Sequence, residues 1–306
     1  MRAKVVLLVS LLALPADALA ASGSAPRVVA KIATGLGPCS ETGGFGAVWV
    51  GVNGAATVAR VDPRTNRVTR RIPVGRGPCG IAIGAGAVWV DGYGTGYIER
   101  IDPRRLKVTA RVRVTGPTSL WDVTFGAGSV WGTDSVLGYV IRLDPRTLKV
   151  KRIKTGGIPS NLRYGAGALW VGSQAGTTMY RIDPATNAVT SIDVKQQSPD
   201  SPAVSNDAVW VADRLSNAVT RIDPATNAVV ATVPVGTHPA NPAIAPDGTV
   251  YVPLTGDGKV AWIDPATNTL GGKITVGPSP FPAAEAFGDI WVPASSGTQL
   301  FRIRPA

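Results

Sequence analysis

The tripeptide Ile/Val/Leu-Asp-Pro recurs through this chain at Asp62, Asp102, Asp144, Asp183, Asp223 and Asp264, and Ile303-Arg304-Pro305 repeats the frame with Arg304 in the Asp place. The steps are 40, 42, 39, 40, 41 and 40 residues. A second ladder keeps the same register: an aromatic residue sits within an apolar triplet at Trp49, Trp89, Trp131, Trp170, Trp210, Tyr251 and Trp291. A unit of this length cannot bury its own apolar face, so it must stack on its neighbours. Two independent signals therefore predict seven stacked units.

Each unit reads as four short strands. In the second, Cys79–Ile83 is predicted as strand a, Ala87–Asp91 as b, Tyr97–Asp102 as c and Lys107–Val114 as d, separated by Gly-rich or Asp-Pro turns. Val219-Thr220-Arg221-Ile222 alternates as a strand with one buried face does, and helical periodicity is absent. The 36 Gly and 25 Pro punctuate runs rich in Val and Ile. The expected fold is all-β, a seven-bladed β-propeller of four-stranded antiparallel blades. After the seventh repeat only Ala306 remains, so that blade lacks its strand d. Residues 27–37 match the d-strand pattern of residues 67–77, which predicts that the N-terminal strand closes the last blade. Such a ring leaves no sheet end in need of a partner, and a monomer is expected.

Residues 1–20 differ from the rest. Arg2 and Lys4 precede an apolar run from Val5 to Leu14, followed by Ala18-Leu19-Ala20. This reads as a signal peptide cleaved after Ala20, with residues 21–26 a short linker and 27–306 a single propeller domain. No transmembrane segment is expected elsewhere, and the mature protein is expected outside the cytoplasm. Export permits disulfides. Cys39 and Cys79 hold the same place in adjacent repeats, so near the axis they fall within bonding reach, and an inter-blade disulfide is expected. The formal charge of +11 favours polyanionic neighbours such as cell-wall polymers or nucleic acid.

The run Val219–Pro239 closely resembles the YVTN-type, YncE-like propeller repeat of bacterial and archaeal surface proteins, and the resemblance covers residues 27–306. Gly86-Ala87-Val88-Trp89-Val90 also looks like the repeat of streptogramin (virginiamycin B) lyases. That second resemblance implies a metal-assisted elimination run by histidines directly after the repeat proline, with a glutamate three residues beyond a strand-b Trp. Here the first set is Cys39, Cys79, Trp121, Ser160, Asp200, Asn241 and Phe281; the second is Val52, Gly92, Asp134, Ser173, Asp213, Leu254 and Ala294. Neither holds the residue the lyase pattern requires, and the only histidine, His238, precedes its proline. No catalytic residue is assigned.

Ligand-binding candidates follow from the geometry of a propeller, whose d–a and b–c loops surround one mouth of the central channel. Strand a is innermost, which singles out Trp121, Asp122, Asn161, Asp200, Asn241 and Phe281, with His238 in a nearby turn. The b–c loops are expected to contribute Asp91, Tyr93, Asp134, Asp213, Arg214 and Asp257, and converging carboxylates there could hold a divalent cation or simply cap turns. No other cofactor is implied. Glu41, Arg163 and Glu285 interrupt apolar strand a, so they are expected to face channel water or pair across it, with Arg163 available to an anionic group and Trp121 as a stacking face. The Arg before each Asp-Pro frame (Arg60, Arg100, Arg142, Arg181, Arg221) is expected to pair with a neighbouring Asp. The first three d strands are rich in Lys and Arg, which either blocks edge pairing or docks polyanions. The expected function is a secreted, non-catalytic binding propeller for a protein, glycan or small molecule. A metal-dependent lyase or hydrolase and a polyanion-binding protein are the alternatives.

Overall fold

The structure is a computed structural model that describes residues 25–306. The signal-peptide reading, and the linker up to residue 24, lie outside the described residues. Seven antiparallel sheets of four strands follow one another along the chain. Blade 2 comprises Ile81–Gly84, Ala87–Gly92, Tyr97–Asp102 and Lys107–Arg113. Its strand a starts two residues later than the pattern suggested. Pro78 has no N–H to give a ladder, and the Cys79 N–H turns aside to Asp91 Oδ1 at 2.8 Å.

The ring closes as the sequence requires. Arg27–Ala33 pairs with Gln299–Arg304, placing Val28 opposite Ile303 and Lys31 opposite Phe301, so the seventh blade takes its outer strand from the opposite end of the chain. Among the described residues, no helix is long and apolar enough to cross a membrane.

The Asp-Pro frame is a turn with a mechanism. Asp62 Oδ1 accepts the Arg64 N–H at 2.8 Å, and the Asn66 N–H returns to the Asp62 carbonyl at 2.9 Å. Asn66 has a φ of +56°, a left-handed conformation that Asn tolerates, and Asn187, Asn227 and Asn268 repeat it. Hydrogen bonds from backbone N–H groups hold the carboxyls of Asp62, Asp102, Asp144, Asp183, Asp223 and Asp264 below their ordinary range.

The core lies between blades rather than within them. Trp49, Val58 and Ile72 of blade 1 pack on Ile81, Val88, Val90 and Ile101 of blade 2. Ile32, Trp291 and Leu300 of blade 7 pack on Val48, Val50, Val52 and Val61 of blade 1, so the closing interface is like the others. All seven ladder aromatics are buried, each removing enough apolar surface to stabilise the ring by about 4 kcal/mol. The indole N–H that burial would strand is satisfied locally: Trp49 donates to the Gly44 carbonyl and Trp89 to that of Gly84, at 2.9 and 3.0 Å.

The periodic arginines do something other than pair with a neighbouring Asp. Arg142 stacks over Trp131 at 4.7 Å and reaches the next blade, donating to the Pro184 carbonyl and Asn187 Oδ1. Arg221 repeats this over Trp210, reaching Pro265 and Asn268, and Arg181 stacks over Trp170. Arg60, over Trp49, and Arg100 instead bond Thr69 and Thr109 of their own blades. Only in the seventh blade does the position, Arg302, meet a carboxylate, Asp289, at 2.5 Å. The planar guanidinium covers the indole while its edge donates, and Arg302 does both over Trp291 and toward Pro63 and Asn66 while also holding Asp289.

Candidate functional site

Because the blade step is about 40 residues, side chains one step apart on strand a become neighbours around the axis. Asn161 Nδ2 donates to Ser201 Oγ at 2.9 Å and to Asp200 Oδ1 at 3.2 Å, and Ser201 Oγ donates on to Asn241 Oδ1 at 2.8 Å. Asp122 accepts from Arg163 Nη1 at 2.7 Å and from the N–H groups of Val123 and Leu162 at 2.8 and 3.2 Å. Its charge is thus matched by one guanidinium and two backbone dipoles. Gly80 lets these groups close up, since a Cβ there would stand 2.7 Å from both Asp122 Oδ1 and Asp91 Oδ2.

This polar layer floors a cavity of about 380 Å³ at the mouth ringed by the d–a and b–c loops. One wall is Trp121, met edge-on by Tyr93 with ring centroids 5.8 Å apart and planes at 84°. Phe281 and Pro282, joined by a cis peptide bond, form another. The Cys39–Cys79 disulfide lines the space as well, with Cα atoms 4.9 Å apart. Asn53, Asn161, Asn241, Ser40 and Ser295 present neutral donors and acceptors. Asp122 is the only charged lining group, and it is already paired with Arg163. A ring with an apolar face and uncharged polar substituents suits such a space.

The sequence candidates divide in two. Trp121, Asp122, Asn161, Asn241, Phe281 and Tyr93 converge on this cavity, with Asp200 immediately behind Asn161. Arg163 and Glu285 line a second cavity of about 400 Å³ with Glu41, and the two cavities share no lining residue. The pairing of Trp121 with Arg163 as joint ligand contacts is therefore corrected: Arg163 reaches through the channel to Asp122 from the far side. Glu285 is exposed and accepts the Gly288 N–H. His238 is exposed, and its backbone N–H bonds Asn217 rather than facing the cavity.

The b–c carboxylates also end elsewhere than a mouth. Asp91, Asp134 and Asp213 are buried at the ends of their b strands. Asp134 Oδ1 takes the N–H groups of Val136 and Leu137 while its other oxygen accepts the Thr115 hydroxyl. Asp213 Oδ2 accepts the Thr220 hydroxyl at 2.6 Å, and Arg214 and Asp257 lie outside the cavity, the latter beside Lys273. Burial pushes the Asp91 and Glu41 carboxyls well above their ordinary range, raises Asp200, and pushes Asp213 up to about 7. Among the described residues, no group of three or more His, Cys, Asp or Glu is placed to hold a metal ion. The donor set thus does not fit the metal that the lyase resemblance implied: Asp122, Asp134 and Asp200 are taken up by backbone N–H groups, a hydroxyl, an amide or Arg163, while the unpartnered oxygens of Glu41, Asp91 and Asp213 do not gather in one site.

Asn53 and Ser295 were missed by the sequence reading, although a signal existed. Both stand four residues beyond the strand-b aromatic, the place Tyr93 occupies in blade 2 and one residue past the place the lyase pattern singles out.

A family model described as a repeat of unknown function, DUF6923, matches residues 82–173. No curated protein matches the chain in sequence. Among solved structures, a streptogramin B lyase is similar with a TM-score of 0.78 at 17% identity, covering 88% of this chain and 94% of its own. Virginiamycin B lyase from Staphylococcus aureus is similar with a TM-score of 0.78 at 16% identity, covering 92% of this chain and 100% of its own. The WD40 propeller domain of Doa1 gives the same TM-score, 0.78, at 10% identity, covering 93% of this chain and 98% of its own. At such identities the likeness establishes the propeller fold and leaves activity open.

Proposed function

We propose that this protein is an extracytoplasmic binding propeller that seats a small, uncharged, ring-bearing ligand, such as the end of a glycan or an aryl-substituted molecule, at the channel mouth. The observation that carries the reading is the wall of Trp121, Tyr93 and Phe281 set over a floor of neutral amides and a neutralised carboxylate. Aromatic faces take the apolar side of a ring, while Asn53, Asn161 and Asn241 answer its hydroxyl or carbonyl groups. The intramolecular disulfide is compatible with an oxidising compartment.

Tryptophan emission tests this directly, because Trp121 and Trp262 are the two tryptophans that are not buried. Titration with neutral aryl glycosides and oligosaccharides should quench or shift the emission. Trp121→Ala should remove that response and weaken binding at least ~10-fold, with the far-UV circular dichroism unchanged. A response that survives in both Trp121→Ala and Phe281→Ala would place the ligand elsewhere.

A second reading, lyase activity of the streptogramin B type, draws support from fold likeness, including likeness to a catalytically inactive virginiamycin B lyase variant with quinupristin at 17% identity. Chromatographic change of quinupristin on incubation with the full chain, compared with chain-free buffer, decides it. The residues at the mouth favour binding without conversion, since the lone histidine stands outside the cavity.

A further inference from the structure

The outer edge of the ring is electrostatically lopsided. The d strands Arg67–Pro73 and Lys107–Arg113 carry Arg67, Arg70, Arg71, Lys107, Arg111 and Arg113, and the third, Val150–Lys154, carries Lys151, Arg152 and Lys154. The d strands of blades 4 and 5, Val189–Asp193 and Ala228–Pro234, carry no Lys or Arg. The turns follow the same division: the residue after Asp-Pro is Arg64, Arg104 and Arg146 in the first three blades, and Ala185, Ala225 and Ala266 in the next three.

Protection of sheet edges does not account for this, because the d strand of blade 5 has the same outer position and carries no charge, and that of blade 4 carries only Asp193. Internal pairing does not account for it either. Arg111 meets Glu99, while Arg71, Arg152 and Lys154 donate to backbone carbonyls. Among the described residues, the exposed side chains of Arg67, Arg70, Lys107, Arg113, Lys149 and Lys151 meet no carboxylate within ion-pair distance.

We propose that this arc docks a linear phosphodiester polymer of the cell surface. The site is independent of the channel mouth. Exposed side chains on one face of a strand recur every second residue, ~7 Å apart, so the three d strands present a grid of cations to an extended chain. Phosphodiesters carry a charge on each repeat, and their paired free oxygens suit the guanidinium fork. Nucleic acid is disfavoured by the surface itself: the three strands hold no aromatic side chain on which a base could stack, and among the described residues no α-helix stands ready to enter a groove. The disulfide points the same way, toward a polymer met outside the reducing cytoplasm.

The test is binding of the full chain to immobilised poly(glycerol phosphate) across a sodium chloride series. With roughly six contacts, counterion release predicts a log–log slope of about −4, so affinity falls roughly 250-fold between 50 and 200 mM salt. Arg70→Glu with Lys107→Glu should weaken binding by more than ~10-fold and flatten the slope. Lys195→Glu with Lys273→Glu, an equal change of net charge placed elsewhere on the ring, should leave binding within about threefold. Equal losses in the two variants, a flat salt response, no binding at 50 mM salt, or stronger competition by single-stranded DNA or an acidic polysaccharide would each overturn the proposal.

Discussion

Replacing both cysteines of the Cys39–Cys79 pair by serine tests how far the first two blades depend on a covalent tie. The bond spans 40 residues and joins the first strand of one blade to the start of the next. Closing a loop of that length removes from the unfolded chain an entropy of about 2.1 + 1.5R ln 40, or ~13 cal/mol/K, equivalent to ~4 kcal/mol at 25 °C. Unfolding entropy of ~2.1 cal/mol/K per residue over residues 25–306 totals ~0.6 kcal/mol/K, so the melting temperature should fall by ~7 °C. Differential scanning calorimetry of the Cys39→Ser/Cys79→Ser chain against the oxidised chain measures this, and the reduced chain should melt alongside the variant. A shift below ~1 °C would refute the reasoning, because it would mean that the unfolded chain gains no freedom when the tie is cut. The disulfide also lines the channel-mouth cavity, so the variant should bind the ring-bearing ligand more weakly even at temperatures where it is fully folded.

Two further outcomes are expected. Asp213 has its folded-state carboxyl pushed up to about 7 by burial, so between about pH 4 and pH 7 the folded chain holds a proton that the unfolded chain has released; the contribution of this group to stability is full below about pH 4 and is lost as pH rises through 7, by roughly 3 kcal/mol between pH 5 and pH 8. Asp213→Asn should flatten that dependence in urea denaturation at the two pH values, and an unchanged slope would exclude Asp213 as its source. Arg163→Met leaves the buried Asp122 without its guanidinium, and with Asp122 still holding two N–H donors the cost should be about 2 kcal/mol. Adding Asp122→Asn should recover most of it, and additive losses in the double variant would show that the two groups do not interact.

The blade count, the turn chemistry and the ring closure were legible in the sequence because each rests on local periodicity: Asp-Pro frames, strand alternation and a missing final strand. The disulfide was legible for the same reason, as equal register in consecutive repeats means adjacency at the axis. The site was legible only in part. Trp121, Asn161, Asn241 and Phe281 could be found because strand a is innermost, but the depth of each side chain along the channel could not. Arg163 and Trp121 stand 42 residues apart, close to one blade step, and look like partners until the pleat and the channel's length send them to opposite cavities. The carboxylates of Asp134 and Asp213 read as mouth ligands or turn caps, and only the placement of nearby donors makes Asp134 a turn cap and turns Asp213 inward to the Thr220 hydroxyl of strand c.

Repetition by itself dictated that this chain winds into a ring of seven sheets, since apolar faces recurring every 40 residues can be buried only against one another. What tertiary structure alone decided is where the repeat is broken to good effect. Departures from the consensus gain meaning from their height along the axis and from the groups brought beside them by other blades, and neither quantity is encoded within any one repeat.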